Sequence, residues 1–302
     1  MNFTVFCNLM KDMVQQRFAE GTEVRLQEVL KNNNVRLSGL IITEEGKNIS
    51  PTIYLESFYQ AFCEGTPMDV IANAIVDSYL SVPKEADIDL NFFKDFERVK
   101  GRIAYRLVNR KYNEELLADV PFIPYLYLAI CFFCAYSDIM LGEGVILVRR
   151  SHMEMWNTDV KELFALAQQN TPQLYPKEIL GMDVLLAELM GMEGMDRKLF
   201  KWEAEAEQGP MFVLTNEKRV QGAATILYPD LLEQIAAKVG GGFWIIPSSV
   251  HEVIIVPYHP KMDILSTKRM IFEINRTKVD PEEVLSDSLY AYNEKDKRII
   301  NL

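Results

Sequence analysis

Between two strongly apolar runs, residues 243–246 and 253–256, the chain places Pro247-Ser248-Ser249-Val250-His251-Glu252. Two hydroxyls, an imidazole and a carboxylate so close together are the parts of a hydrolytic relay. Ser249 would be the hydroxyl donor or nucleophile, His251 the general base or a binding group, and Glu252 the carboxylate that orients it. The same residue types also build tight turns, with Ser248 and Ser249 bonding nearby backbone while His251 and Glu252 begin the next strand. The chain has no Gly-x-Ser-x-Gly elbow and no glycine run for an oxyanion hole, which favours the turn. His152 follows Arg149-Arg150 close to Trp156, and His259 lies between Tyr258 and Pro260. With 3 histidines and no His-Glu-x-x-His, the zinc-protease motif is absent. A metal site joining His152, His251 and a distant carboxylate would rest on spatial convergence alone, and no metal or other cofactor is expected.

Other motifs yield to plainer explanations. Cys131-Phe132-Phe133-Cys134 has the spacing of a metal knuckle or redox pair, but apolar residues flank it and no second Cys or His pair exists to complete a ligand set. Gly240-Gly241-Gly242 follows a helix and precedes a strand, the reverse of a phosphate loop, so it reads as helix termination. The acidic run from Glu203 to Glu207 reads as a solvated face. Asp280-Pro281-Glu282-Glu283 reads as a helix start and Asp287 as part of its polar exit. If Glu282, Glu283 or Asp287 folded back toward His251, a polar cleft would result. The candidate ligand-binding residues are therefore Ser248, His152 and Asp287.

Periodicity supplies the elements that must position these groups. Phe6, Leu9, Met10, Met13, Val14 and Phe18 recur at helical spacing, and the pattern continues through Val24, Leu26, Val29 and Leu30, so an amphipathic N-terminal helix, or two, is predicted. Residues 35–43 and 49–55 read as a hairpin. Helices follow at 57–63 and after Thr66-Pro67-Met68-Asp69, and a short one carries Phe92, Phe93 and Phe96. Strands are predicted at 101–109, 126–136, 145–149, 211–214, 223–227, 243–246 and 253–256. Further helices are predicted from Asn157-Thr158-Asp159 to about Pro172, at 177–190, at 230–238 and at 262–276, and the tail reads as a small hairpin. Two strands and a helix recur about four times, which predicts an α+β fold with a largely antiparallel or mixed sheet of hairpin-plus-helix units. The Met-, Gly- and charge-rich stretch 191–210 reads as a linker or long loop between regions 1–190 and 211–302, which could equally form one continuous domain.

Composition bounds the function. A chain of 302 residues, 49% hydrophobic and 25% charged, is an ordinary folded protein. Its formal charge of -11 disfavours nucleic acid and anionic membranes as partners. The most apolar stretch, 122–136, is too short to span a bilayer and reads as a buried strand. The N-terminus lacks the pattern of a signal peptide, and 4 cysteines in apolar settings suggest reduced thiols, so a cytoplasmic location is expected.

Several segments together resemble an uncharacterised bacterial family, a domain of unknown function found as stand-alone cytosolic proteins of about this length. They are Asn34-Val35-Arg36-Leu37-Ser38-Gly39-Leu40, Asn48-Ile49-Ser50-Pro51-Thr52-Ile53-Tyr54-Leu55-Glu56, Phe212-Val213-Leu214-Thr215-Asn216, Gly222-Ala223-Ala224, Ile246-Pro247-Ser248-Ser249-Val250-His251-Glu252-Val253 and Glu283-Val284-Leu285-Ser286-Asp287. The resemblance spans nearly the whole chain and implies no activity or cofactor. The reading that results is a non-catalytic cytosolic binding or interaction protein, with a protein or small-molecule partner. The alternative is a hydrolase-like enzyme using Ser249 and His251 with a nearby carboxylate.

Overall fold

A computed structural model describes residues 1–46, 50–81, 90–138, 142–189, 211–260 and 262–302. The chain divides into two compact units, Met1–Lys94 with Tyr136–Gly144, and Asp95–Ala135 with Val145–Leu302. The expected linker at 191–210 lies outside the described residues.

In the first unit, helix α1 (Phe3–Gln15) starts where the Asn2 side chain accepts the Val5 N–H at 2.9 Å. It buries Phe6, Cys7, Met10 and Val14 along one face, as the spacing predicts. The helical reading of Val24 to Leu30 fails. Gly21, at φ 95°, turns the chain, and β1 (Thr22–Leu30) pairs antiparallel with β2 (Arg36–Glu44) along its full length. Val24 and Leu26 alternate there with Glu23, Arg25 and Gln27, so period two and a long cross-strand partner override the three- and four-residue spacing. The predicted second hairpin forms through β3 (Thr52–Tyr54), which pairs antiparallel with β2. Helices α2 (Glu56–Cys63) and α3 (Met68–Leu80) follow, and Leu40, Ile42, Leu55, Ile71 and Ile75 close the core on α1. Short α4 (Leu90–Lys94) ends the continuous part of this unit.

The second unit begins with α5 (Phe96–Val99) and strand β4 (Ile103–Asn109), then α6 (Glu114–Asp119). The apolar stretch 122–136 is two strands rather than one. β5 (Phe122–Tyr125) turns at Leu126 and Tyr127 into β6 (Leu128–Asp138), and β4 and β5 flank β6 antiparallel while β7 (Gly142–Leu147) adds to it. Helices α7 (Arg150–Trp156) and α8 (Val160–Leu174) come next. Asp159 caps α8 by accepting the Glu162 N–H, and Pro172 is accommodated in its last turns rather than ending it.

Residues 177–190, read as one helix, split into strand β8 (Lys177–Gly181) and helix α9 (Met182–Leu189), because the first half pairs with β9 (Phe212–Asn216). Residues 223–227, read as a strand, form a tight 3-10 turn at Gly222–Leu227. After α10 (Leu231–Val239), strands β10 (Phe243–Pro247) and β11 (Val253–Pro257), helix α11 (Ile264–Thr277) and the hairpin β12 (Tyr290–Asn293) with β13 (Arg298–Asn301) complete a six-stranded antiparallel sheet. Its order is β13-β12-β10-β11-β9-β8. The helix start read at Asp280-Pro281 is a turn, and α11 seats Ile271 with Trp244, Ile246, Val256 and Leu289. The fold is α+β with antiparallel sheets. Among the described residues no helix is long and apolar enough to cross a membrane.

β4 ends its sheet on one side, leaving backbone groups that need partners. Helix α8 supplies them. Buried Thr171 accepts the Tyr105 N–H at 3.1 Å, and Asn170 donates to the Lys100 and Ile103 carbonyls at 2.8 and 2.9 Å. Thr171→Val keeps the shape and removes the acceptor, so it should lower unfolding free energy by about 1–3 kcal/mol in urea titrations.

Candidate functional site

The connection between α11 and β12, residues 278–289, carries both polar clusters of interest. Its first clamp is the loop between β10 and β11. The Val250 N–H donates to the Glu283 carbonyl at 2.8 Å, and His251 Nε2 lies 3.3 Å from Glu283 Oε1. The other ring nitrogen, Nδ1, accepts the Gln221 N–H at 3.3 Å, which fixes the Nε2–H tautomer. The Ser249 hydroxyl is wired separately, donating to Glu252 Oε1 and accepting the His251 backbone N–H, both at 3.0 Å. Ser249, His251 and Glu252 are therefore adjacent, yet the hydroxyl addresses the carboxylate and the main chain rather than the imidazole. Ser248 sits half-buried beside them.

The backbone around His251 is equally constrained. Its carbonyl accepts from Thr215 Oγ1 at 2.7 Å, and Gly222 comes so close that an added Cβ would collide with Thr215 Oγ1, the His251 carbonyl and, at 2.9 Å, Asn216 N. His152 has a different post. Its Nδ1 accepts the Arg149 N–H at 3.0 Å at the start of α7, and its ring lies against Trp156. Burial, then the charge of Arg149, pushes the His152 imidazole below its ordinary range.

The second clamp is Asp287. Tyr112 Oη donates to its Oδ2 at 2.7 Å and Asn275 Nδ2 to its Oδ1 at 2.9 Å. Arg276 grips both oxygens, Nη1 to Oδ1 at 3.2 Å and Nη2 to Oδ2 at 3.3 Å. Burial acts to raise the Asp287 carboxyl, but the hydrogen bonds from Arg276, Asn275 and Tyr112 outweigh it and hold the group below the usual carboxylate range. Asn109 fastens the same segment by donating to the Leu285 carbonyl at 3.1 Å, and the Ser286 hydroxyl pairs with Tyr290 at 2.9 Å.

These contacts wall an open cleft of about 560 Å³, lined by the end of β4, the turn that follows it, Glu114 at the start of α6, Tyr127 and residues 286–288. Tyr127 is 52% exposed and stands in the two-residue β5–β6 turn, whose other residue, Leu126, adopts φ 54°. A left-handed leucine costs on the order of 1–2 kcal/mol, so packing holds this turn against local preference. Arg110 and Lys111 also line the cleft, and among the described residues neither side chain makes a hydrogen bond or ion pair.

Of the residues singled out in the sequence, the structure gathers Ser249, His251 and Glu252 at one clamp and sets Asp287 at the other, four residues beyond Glu283. Tyr112, Asn109, Asn275 and Arg276 were not foreseen. Asn275 had a signal: with Ile271 it makes up the buried residues of α11, a polar group on an apolar stripe. Among the described residues no three His, Cys, Asp or Glu side chains converge on a position that could hold a metal ion.

A model described as a family of unknown function (DUF5688) matches residues 3–294. No curated protein and no solved structure matches the chain.

Two outcomes are expected here. Asp287 has a depressed folded-state pKa, so its stabilising contribution is complete above the unfolded value of about 3.9 and is lost as pH falls through the folded value. Asp287→Asn should therefore be less stable than the parent at neutral pH and lose stability less steeply below about pH 4, as read by chemical denaturation across pH. Gly222→Ala should cost about 3 kcal/mol or more, because the colliding atoms are largely backbone, and a thermal melt would register it.

Proposed function

Because the chain belongs to the DUF5688 family, whose description assigns no activity, function has to come from the site, and we propose that the protein is a non-catalytic binder of a small polar ligand. The observation that carries this reading is the division of labour in the cleft. Asp287 and Arg276 are spent on one another, whereas Arg110 and Lys111 face the space without protein partners among the described residues. The volume falls within the range of small-molecule sites, roughly 300–1,000 Å³. Tyr127 offers an exposed ring for stacking, beside the half-buried Ser288.

A catalytic use of Ser249 would require its hydroxyl to donate to the His251 ring. That proton is instead directed at Glu252, and the ring is held between Gln221 and Glu283. A bacterial, cytoplasmic setting is part of the proposal. It is supported by the resemblance to a bacterial family and by Cys7, Cys131 and Cys134, which are buried free thiols.

Native mass spectrometry after incubation with a small-molecule cell extract tests the proposal. A bound small mass is expected on the parent protein and is expected to be lost from Arg110→Gln and Tyr127→Ala, both surface changes. An empty parent protein, or a bound mass that both variants retain, would sink it.

A further inference from the structure

In the β4–β6 pair, Ala104 lies opposite Phe133, Arg106 opposite Cys131 and Val108 opposite Ala129, and β5 sets Phe122 across from Cys131 on its other side. Directly opposed residues of an antiparallel sheet project to the same face, and residues two apart in a strand share it. Arg106 is therefore the charged member of a row otherwise made of Ala104, Val108, Ala129, Cys131, Phe122 and Phe133.

A guanidinium keeps its proton at any pH a protein meets, so this charge cannot be relieved by titration. Arg106 Nε is sealed from solvent, and among the described residues it has no hydrogen-bond partner and no carboxylate reaches the group. The titratable neighbour is Cys131, whose thiol is pushed up to about 12 by burial, with Arg106 pulling it down only in part. A neutral thiol is no counter-ion. Buried unpaired charges are rare because removing a charge from water costs several kcal/mol unless a partner compensates. The residue is still half-buried rather than fully enclosed, so solvent reaches part of it.

We infer that Arg106 anchors an oxyanion site on this face of the β4–β6–β5 sheet, holding the carboxylate or phosphate group of an acidic ligand through its guanidinium fork. With Nε sealed, the contact falls to the two Nη groups, whose N–H bonds match two oxygens of such a group at once. The inference is independent of the cleft reading, since Arg106 is not among the cleft residues.

The test compares thermal melts of the full chain and of Arg106→Met in chloride, inorganic phosphate and acetate at matched pH and ionic strength. Methionine keeps the apolar stem and removes the charge. In chloride the variant should melt at or above the parent, because an uncompensated charge has been removed. In phosphate or acetate the parent Tm should rise with concentration and saturate, while the variant moves only by the general salt effect. The anion that gives the larger rise tells a phosphate ligand from a carboxylate one. Equal responses of the two proteins would overturn the site and assign any anion effect to other cations, such as Arg110 and Lys111. A variant that melts well below the parent in chloride, or that does not fold, would also overturn it, since Arg106 would then be stabilised without an anion.

Discussion

The second unit depends on a carboxylate partly withdrawn from water. Asp287 sits in a partly buried position where an unpaired charge would be costly, and it is tolerable there because donors from two different elements meet it: Tyr112 from the turn after β4, and Asn275 and Arg276 from α11. The same demand fixes the connection between α11 and β12 in one place. A displaced connection would strand a charge and several polar groups at once. Arg276 has little freedom of its own, since its guanidinium also lies 3.4 Å from the centre of the Phe272 ring. The cleft wall is in this sense preformed. Its geometry is set by internal ion pairing before any ligand arrives, which limits the ordering cost of binding.

The two polar clusters on that connection are mechanically one. Glu283 is held through Val250 and His251, and Leu285 and Asp287 are held through Asn109 and Tyr112. The β10–β11 loop is therefore rich in hydroxyls and imidazole for a structural reason. It must satisfy its own buried backbone while presenting donors to a neighbouring turn. Ser249 is buried and doubly bonded, and Gly222 leaves no room for a side chain where Thr215 and His251 approach. The arrangement leaves the His251 ring an orienting contact on each nitrogen, which fixes the orientation of the ring.

What the sequence discloses of this architecture follows the range of the interactions involved. The stripe of α1, the Asp159 cap and the apolar strands β10 and β11 are local patterns and are legible. β1 and β8 are not, because each carries apolar residues at spacings a helix could use and becomes a strand only when a partner pairs with it. The tight turn at residues 222–227 has the same origin, since Ala223 is tied to Val250. The site divides likewise. Asp287 and His251 are conspicuous as residue types, but Tyr112 and Asn109 lie 175 and 176 positions from their partners, and no spacing rule connects such residues. The Arg106 anomaly was hidden for a related reason. An arginine alternating with apolar residues reads as the solvent face of a strand until both sides of that strand acquire neighbours.

The overall charge adds a last constraint on the kind of ligand the cleft can hold. With a formal charge of -11, the long-range field of the protein repels anions, so a free Arg110 and Lys111 cannot draw an acidic ligand from a distance. At physiological salt that repulsion is screened beyond about 8 Å, whereas the local cations act at contact. Affinity would therefore come from direct hydrogen bonds and from stacking on Tyr127 rather than from steering. Such a site selects small ligands that enter the cleft over extended polyanions, whose remaining charge would stay in the repulsive field. Two cations, Arg110 and Lys111, in a cleft of an otherwise acidic chain thus fit the proposed small ligand recognised at close range.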